Sequence, residues 1–132
     1  MIEIKISTRT QSEFVDITAQ VSRAVEESDV SSGLCVVYVP HTTAAVTINE
    51  GADPAVRQDI VNELDKVIPQ SDGYQHREGN AAAHIKATLT GSSVTIPVEG
   101  GRLTLGAWQG VYFCEYDGPR SRRFTVRVIV AR

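Results

Sequence analysis

Residues Gly33 to Pro54 read GLCVVYVPHTTAAVTINEGADP, two strands and the start of a helix in one stretch. GLCVVYVP is a continuous apolar, β-branched run, the pattern of a strand covered on both faces. Ala44 to Glu50 makes a second strand, with Val46 and Ile48 on one face. Asp53-Pro54 then starts a helix. The carboxylate can cap the first turn, and proline suits the first helical position, where its missing N–H has no partner to lose.

Working outward, Ile2, Ile4 and Ile6 alternate as a half-buried strand, and a short second strand lies around Phe14 to Ile17. Thr18 is placed to cap a helix with Val21, Ala24 and Val25 at helical spacing, and Gly33 ends that unit. Downstream of Pro54, Val56, Ile60, Leu64 and Val67 lie along one helix face through Ile68, and Pro69 stops the helix. A polar loop runs from Gln70 to Gly79. Asn80 can cap a third helix, Ala81 to about Thr90, closed by Gly91. The last third reads as strands at Ser93–Val98, Arg102–Gly106, Gly110–Tyr116 and Arg122–Val130, with turns at Glu99-Gly100-Gly101 and Asp117-Gly118-Pro119. About eight strands and three helices without βαβ alternation predict an α+β fold: one compact domain, residues 1–132, with a mixed, mostly antiparallel sheet.

A chain of 132 residues with 42% hydrophobic content suits one domain with a real core. Its net charge of −3 gives no electrostatic reason to bind nucleic acid, and the arginines from Arg120 to Arg132 alternate with apolar residues as a strand does. No secretory signal is apparent, and no apolar run approaches the ~20 residues of a membrane-spanning helix. Cys35 and Cys114 sit in strand-like runs without CxxC spacing, which reads as buried thiols in a reducing cytoplasm. The expected location is therefore cytoplasmic, with neither nucleic acid nor membrane as a partner.

The chemistry-bearing residues fall in three blocks, His41 to Asp53, Tyr74 to His84 and Trp108 to Arg123, and burying such polar groups without partners is costly. These blocks are expected to converge on one site for a phosphorylated small molecule. At the start of the third helix, the free N–H groups after Asn80, the helix dipole and the small side chains of Ala81, Ala82 and Ala83 would admit an anion. His84 and Lys86 on the next turn can add donors or charge. The same small residues would also let the helix pack closely on a sheet. His76, Asn80 and His84 recur every fourth residue, which shifts the balance toward a site. His41 follows a buried strand, ahead of the hydroxyls of Thr42 and Thr43, and Asn49, Glu50 and Asp53 join it if the two strand ends are neighbours.

His41, His84 and Glu50 can in principle ligate a transition metal such as Zn²⁺. Mg²⁺ brought by a diphosphate is chemically easier, with Glu50, Asp53, Asp59 and Glu115 as candidate ligands. Glu115 shares strand parity with Val111 and Phe113, so its carboxylate must be paired or have a raised pKa. Arg120 and Arg122 are candidate partners for it or for phosphate. Trp108-Gln109 offers a flat apolar face and an amide. A structural Glu–Arg pair and a core tryptophan are the plain alternatives. No GxxxxGK[ST], GxGxxG or GxSxG motif is present.

Taken together, PHTTAAVTINEGADP, GNAAAHIKATLTGSS and LTLGAWQGVYFCEYDGPRSRR resemble the YjbQ-like family, often labelled secondary thiamine-phosphate synthase. The resemblance spans almost the whole chain. It implies a compact α+β domain forming a homotrimer, with polar sites near subunit boundaries. It also implies a transferase that joins a hydroxymethylpyrimidine diphosphate to a thiazole phosphate and releases pyrophosphate. On that reading His41, His84, Glu115 and Arg120 are the catalytic candidates. Thr42, Asn49, His76, Asn80, Trp108, Gln109 and Arg122 would bind substrate or phosphate, and Glu50 and Asp53 would hold the divalent ion, with His41 and His84 added for a transition metal. Such a reaction needs charge stabilisation more than a protein nucleophile. The alternatives are another phosphate-handling or metal-dependent enzyme on the same site, or a non-catalytic trimer that binds a phosphorylated metabolite.

Overall fold

The computed structural model describes residues 1–132. Strand β1 (Ile2–Ser7) and β2 (Glu13–Asp16) precede helix α1 (Thr18–Glu27), and β3 (Ser32–Tyr38) and β4 (Ala44–Glu50) precede α2 (Pro54–Val67). Then come α3 (Ala81–Thr90), β5 (Ser93–Glu99), β6 (Arg102–Leu103), β7 (Gln109–Glu115) and β8 (Ser121–Val130). The strands form two sheets, β1-β8-β3-β5-β6 and β2-β7-β4. Every pairing is antiparallel, so the single α+β domain read from the sequence stands, but with two antiparallel sheets in place of one mixed sheet. None of the helices is long and apolar enough to cross a membrane.

Strand β7 lies at the centre, buried from Gly110 to Glu115. Alternation sends its side chains to two different cores. Val111 and Phe113 face the five-stranded sheet and α1, packing with Val21, Val25, Val37, Phe124 and Val126. Tyr112, Cys114 and Tyr116 face the other way, onto Val61 of α2 and Ala83 of α3. The three-stranded sheet is thus sandwiched between the large sheet and the pair α2/α3, and its β4 edge carries the chain into the candidate site.

Three local expectations change. The side chain of Asp53 caps α2 as expected, accepting from Ala55 N–H at 2.9 Å. The buried stripe of that helix centres on Val61, however, while Val67 is exposed. Thr18 opens α1 without capping it; Asp16 Oδ1 accepts the Thr18 N–H instead, at 2.9 Å. Strand β3 is covered on one face only. Cys35 and Val37 point inward, whereas Leu34 and Tyr38 stay 44% and 47% exposed.

Candidate functional site

The loop after β3 delivers His41 and Thr42 to one wall of a cleft of about 400 Å³. Helix α3 supplies the opposite wall with His84, Ala87 and Thr88, and Gly91-Ser92 closes the end. Arg123 N–H donates to His41 Nε2 at 3.1 Å, and the ring stands edge-on to Phe113. Burial, then the nearby positive charge of Arg122, hold the imidazole below its ordinary pKa. These effects favour the neutral ring, and Nε2 also lies 3.1 Å from the Arg123 carbonyl oxygen, so its role at Arg123 is set by the tautomer. His76 reaches the same helix from the loop before it, with its ring 5.3 Å from that of His84 and tilted at 73°.

Asn80 sits at the N-cap position of α3, but its side chain makes no cap bond. Nδ2 donates instead to Asp117 Oδ2 at 2.9 Å, which leaves Asn80 Oδ1 buried without a partner. Asp117 also accepts from Arg120, through its backbone oxygen at 2.8 Å and its carboxylate at 3.1 Å. A chain of polar contacts thus ties the start of α3 to the β7–β8 turn and holds the Arg120 guanidinium beside it. Asp117 was read from the sequence only as a turn residue. Its position between Glu115 and Arg120 in EYDGPR was the signal that it had two strand ends to connect.

Glu115 and Arg122 meet across the β7–β8 hairpin, with Glu115 fully buried. Arg122 Nε donates to Oε1 at 2.8 Å and Nη2 to Oε2 at 2.5 Å. Thr8 Oγ1 and Asp117 N–H fill the remaining carboxylate positions at 2.7 and 2.9 Å. Arg122 Nη2 also donates to Thr43 Oγ1 at 2.8 Å. Burial alone would raise the Glu115 pKa, but the bonds from Arg122, Asp117 and Thr8 outweigh it and hold the carboxyl below its usual range. With every lone pair engaged, Glu115 does not fit the catalytic role expected of it, and Arg122 is not free for phosphate. This is the plain structural pair. Lys86 is likewise withdrawn from the helix start, because it is buried against Asp65.

The three blocks do not all converge. Ala44 lies opposite Glu115 and Glu50 opposite Gln109, so β4 runs six residues away from His41 before it reaches Glu50. At roughly 3.3 Å per residue that is about 20 Å. Asn49, Glu50, Asp53, Trp108 and Gln109 therefore gather at the far end of the sheet and serve local structure there. Glu50 Oε2 accepts from Ala52 N–H at 2.8 Å, Asn49 Oδ1 from Glu50 N–H at 2.7 Å and Gln109 Oε1 from Gly106 N–H at 2.8 Å. Trp108 is 69% exposed, so it is not the core tryptophan of the plain alternative. The expected metal set fails for the same reason: His41 and His84 share a cleft, while Glu50 and Asp53 lie elsewhere. No group of three or more His, Cys, Asp or Glu side chains is placed to hold a metal ion. The expectation of metal binding is corrected accordingly.

The model of the UPF0047 protein YjbQ-like family matches residues 2–131. This chain belongs to that family. It is similar to a UPF0047 protein of Methanocaldococcus jannaschii, 49% identical over 98% of this chain and 94% of the other. YugU of Bacillus subtilis is 45% identical over 96% of each chain. A crystal structure of a YjbQ/UPF0047 family protein from Clostridium acetobutylicum superposes with a TM-score of 0.96 at 54% identity, covering 98% of this chain and 100% of that one. A YbjQ-like protein of unknown function from Sulfolobus solfataricus gives 0.94 at 36% identity, over 98% of this chain and 96% of that one. The family and fold implied by the resemblance stand. The thiamine-phosphate synthase activity does not, since these relatives are named as UPF0047, YugU or YjbQ-type proteins with no such reaction.

Proposed function

We propose that this chain binds a small phosphorylated metabolite in the cleft between His41 and His84, and that it does so as a homotrimer. One observation carries the first part: the cleft lining combines two imidazoles with the hydroxyls of Thr42 and Ser92 and contains no carboxylate, the Thr88 hydroxyl being donated to His84 O at 2.8 Å. Donors without a competing negative charge favour an anion. At about 400 Å³ the cleft suits a small molecule rather than a polymer. The chemistry available is positioning and proton transfer by imidazole. Covalent catalysis by cysteine is disfavoured, since both thiols are buried and Cys35 is pushed up to about 11.

The trimer reading is supported by the uncovered face of β3. Leu34 lies directly beside Pro97 on β5 and Ile129 on β8, and all three are exposed. They make an apolar row on an outer sheet face, of the kind that marks a protein contact, and Tyr38 is exposed on the same face further along β3.

The binding test is amide chemical-shift mapping with glycerol 3-phosphate as the probe. Movement of the Thr42, His84, Thr88 and Ser92 signals, with Glu50 and Trp108 still, is expected. No movement in the cleft up to about 10 mM, an affinity too weak to matter, sinks the proposal. Sedimentation of the purified chain decides the assembly: a monomer at all concentrations removes the trimer.

A further inference from the structure

Strand β1 forms one end of the five-stranded sheet, and only β8 pairs with it. In an antiparallel ladder, alternate residues exchange both backbone bonds with the neighbouring strand. Thr8 N–H donates to Arg120 O at 3.0 Å, which puts the residues of its parity, Ile2, Ile4 and Ile6, in bonded positions against β8. Ala131 N–H donates to Ser32 O at 3.0 Å, so the odd residues of β8 serve β3 instead. The backbone N–H and C=O groups of Glu3 and Lys5 therefore point out of the sheet edge, where nothing in the chain bonds them. We infer that this edge pairs with the same edge of a second copy, antiparallel about a two-fold axis at Ile4.

Exposed edges are usually blunted by proline, a bulge or a very short strand. Strand β1 has none of these, and its register with β8 runs unbroken from Ile2 to Ser7. The other edges are short or already used. Strand β6 has 2 residues and β2 has 4, while Val46 N–H on the outer side of β4 donates to Gly91 O at 3.1 Å.

Backbone geometry and charge together select one register. Only the odd residues of β1 are free, so Glu3 and Lys5 must face odd residues of the other strand. With Ile4 on the axis, Glu3 lies opposite the partner's Lys5 and Lys5 opposite the partner's Glu3, both in hydrogen-bonded positions. Sliding by one repeat puts Glu3 against the partner's Glu3 in one direction and Lys5 against the partner's Lys5 in the other. Opposite charges facing across a ladder stabilise it, and like charges oppose it. A second copy meets this alternation by symmetry, because a two-fold contact is made by the same patch on both chains.

The apolar face agrees. Ile4 and Ile6 are half-buried against the main core and Ile2 is 38% exposed, so the apolar strip stops uncovered at this edge. In the selected register Ile4 meets the partner's Ile4 and Ile2 meets the partner's Ile6, at the positions where side chains come closest. The two large sheets become continuous through a surface distinct from the apolar row of Leu34, Pro97 and Ile129.

Sedimentation of the full chain and of its charge variants tests the contact. Glu3 and Lys5 are exposed, and Lys5 lies opposite Arg123 in its own sheet, so reversing its charge removes no ion pair within the chain. At concentrations up to about 1 mM the wild type is expected to form a pair of chains, or a pair of trimers where the outer face also assembles. Lys5→Glu and Glu3→Lys should each weaken the pairing about tenfold or more, since attractive pairs become repulsive. Mixing the two variants in equal amounts should restore it, as should both reversals in one chain, because every reversed charge then faces its opposite. Hydrogen exchange gives a second readout: the Glu3 and Lys5 amides should be protected in the wild type and exchange freely in Lys5→Glu. A monomer or a lone trimer across that range overturns the inference. So does a paired assembly that ignores the charge reversals, or free exchange of both amides in the wild type. A lone trimer would leave the outer-face contact standing and a lone pair would leave only this one, so the two contacts are told apart.

Discussion

Replacing Arg122 with methionine isolates the Glu115–Arg122 pair. The substitution keeps much of the side-chain volume but leaves Glu115, with no exposed surface, holding a charge against only Thr8 and the Asp117 N–H. Breaking a buried pair by removing one partner typically costs about 3–5 kcal/mol. Thr43 loses its donor as well, and an orphaned buried acceptor adds about 1 kcal/mol. The expected loss is therefore about 4–6 kcal/mol. Urea unfolding at fixed protein concentration measures it as a fall in midpoint with an unchanged slope. Replacing both partners, Glu115→Leu with Arg122→Met, should recover a large part of the loss, because no lone charge is then buried. A single-variant cost below about 1 kcal/mol, the level of an exposed ion pair, would refute the claim that this pair is structural.

Acid should weaken the fold in two separable steps. His41 has a lowered pKa when folded, so the unfolded chain binds more protons just below about 6.5, and stability falls with pH in that window. His41→Asn should flatten this slope in urea midpoints taken between pH 5 and 7. Glu115 is also lowered, so its contribution is present above the ordinary carboxylate range and disappears as pH falls through the folded value. The acid limb should be shallower in the double Glu115→Leu, Arg122→Met variant. At Gly33 an added Cβ would sit 1.9 Å from Ile129 O across the β3–β8 pairing. Gly33→Ala should therefore destabilise by about 2 kcal/mol or more, checked by thermal unfolding.

Local chemistry was legible where one or two residues dictate it. Asp53-Pro54 announced α2, Gly91 closed α3, and the alternation in β1 and β8 placed both strands. The strand GLCVVYVP misled because an apolar run states only that side chains avoid water. It does not say whether the second face is covered by this chain or by another. Site geometry was half legible. His41 and His84 meet because the β3 loop and α3 flank the same edge. Glu50 was misplaced because periodicity fixes which face a strand residue occupies but not how far the strand carries it. Trp108 and Gln109 went with it, since β7 pairs with β4 in register. Glu115 and Arg122 were correctly placed near one another, yet only the full set of partners shows that nothing is left over for catalysis.

The direct test of an anion cleft is calorimetric titration of glycerol 3-phosphate into the wild-type chain, His84→Ala and Glu50→Gln. His84 lines the cleft, and Glu50 lies at the far end of β4. A weakening of tenfold or more for His84→Ala, about 1.4 kcal/mol, with Glu50→Gln unchanged, is the predicted result. Equal affinity for all three proteins would contradict the account.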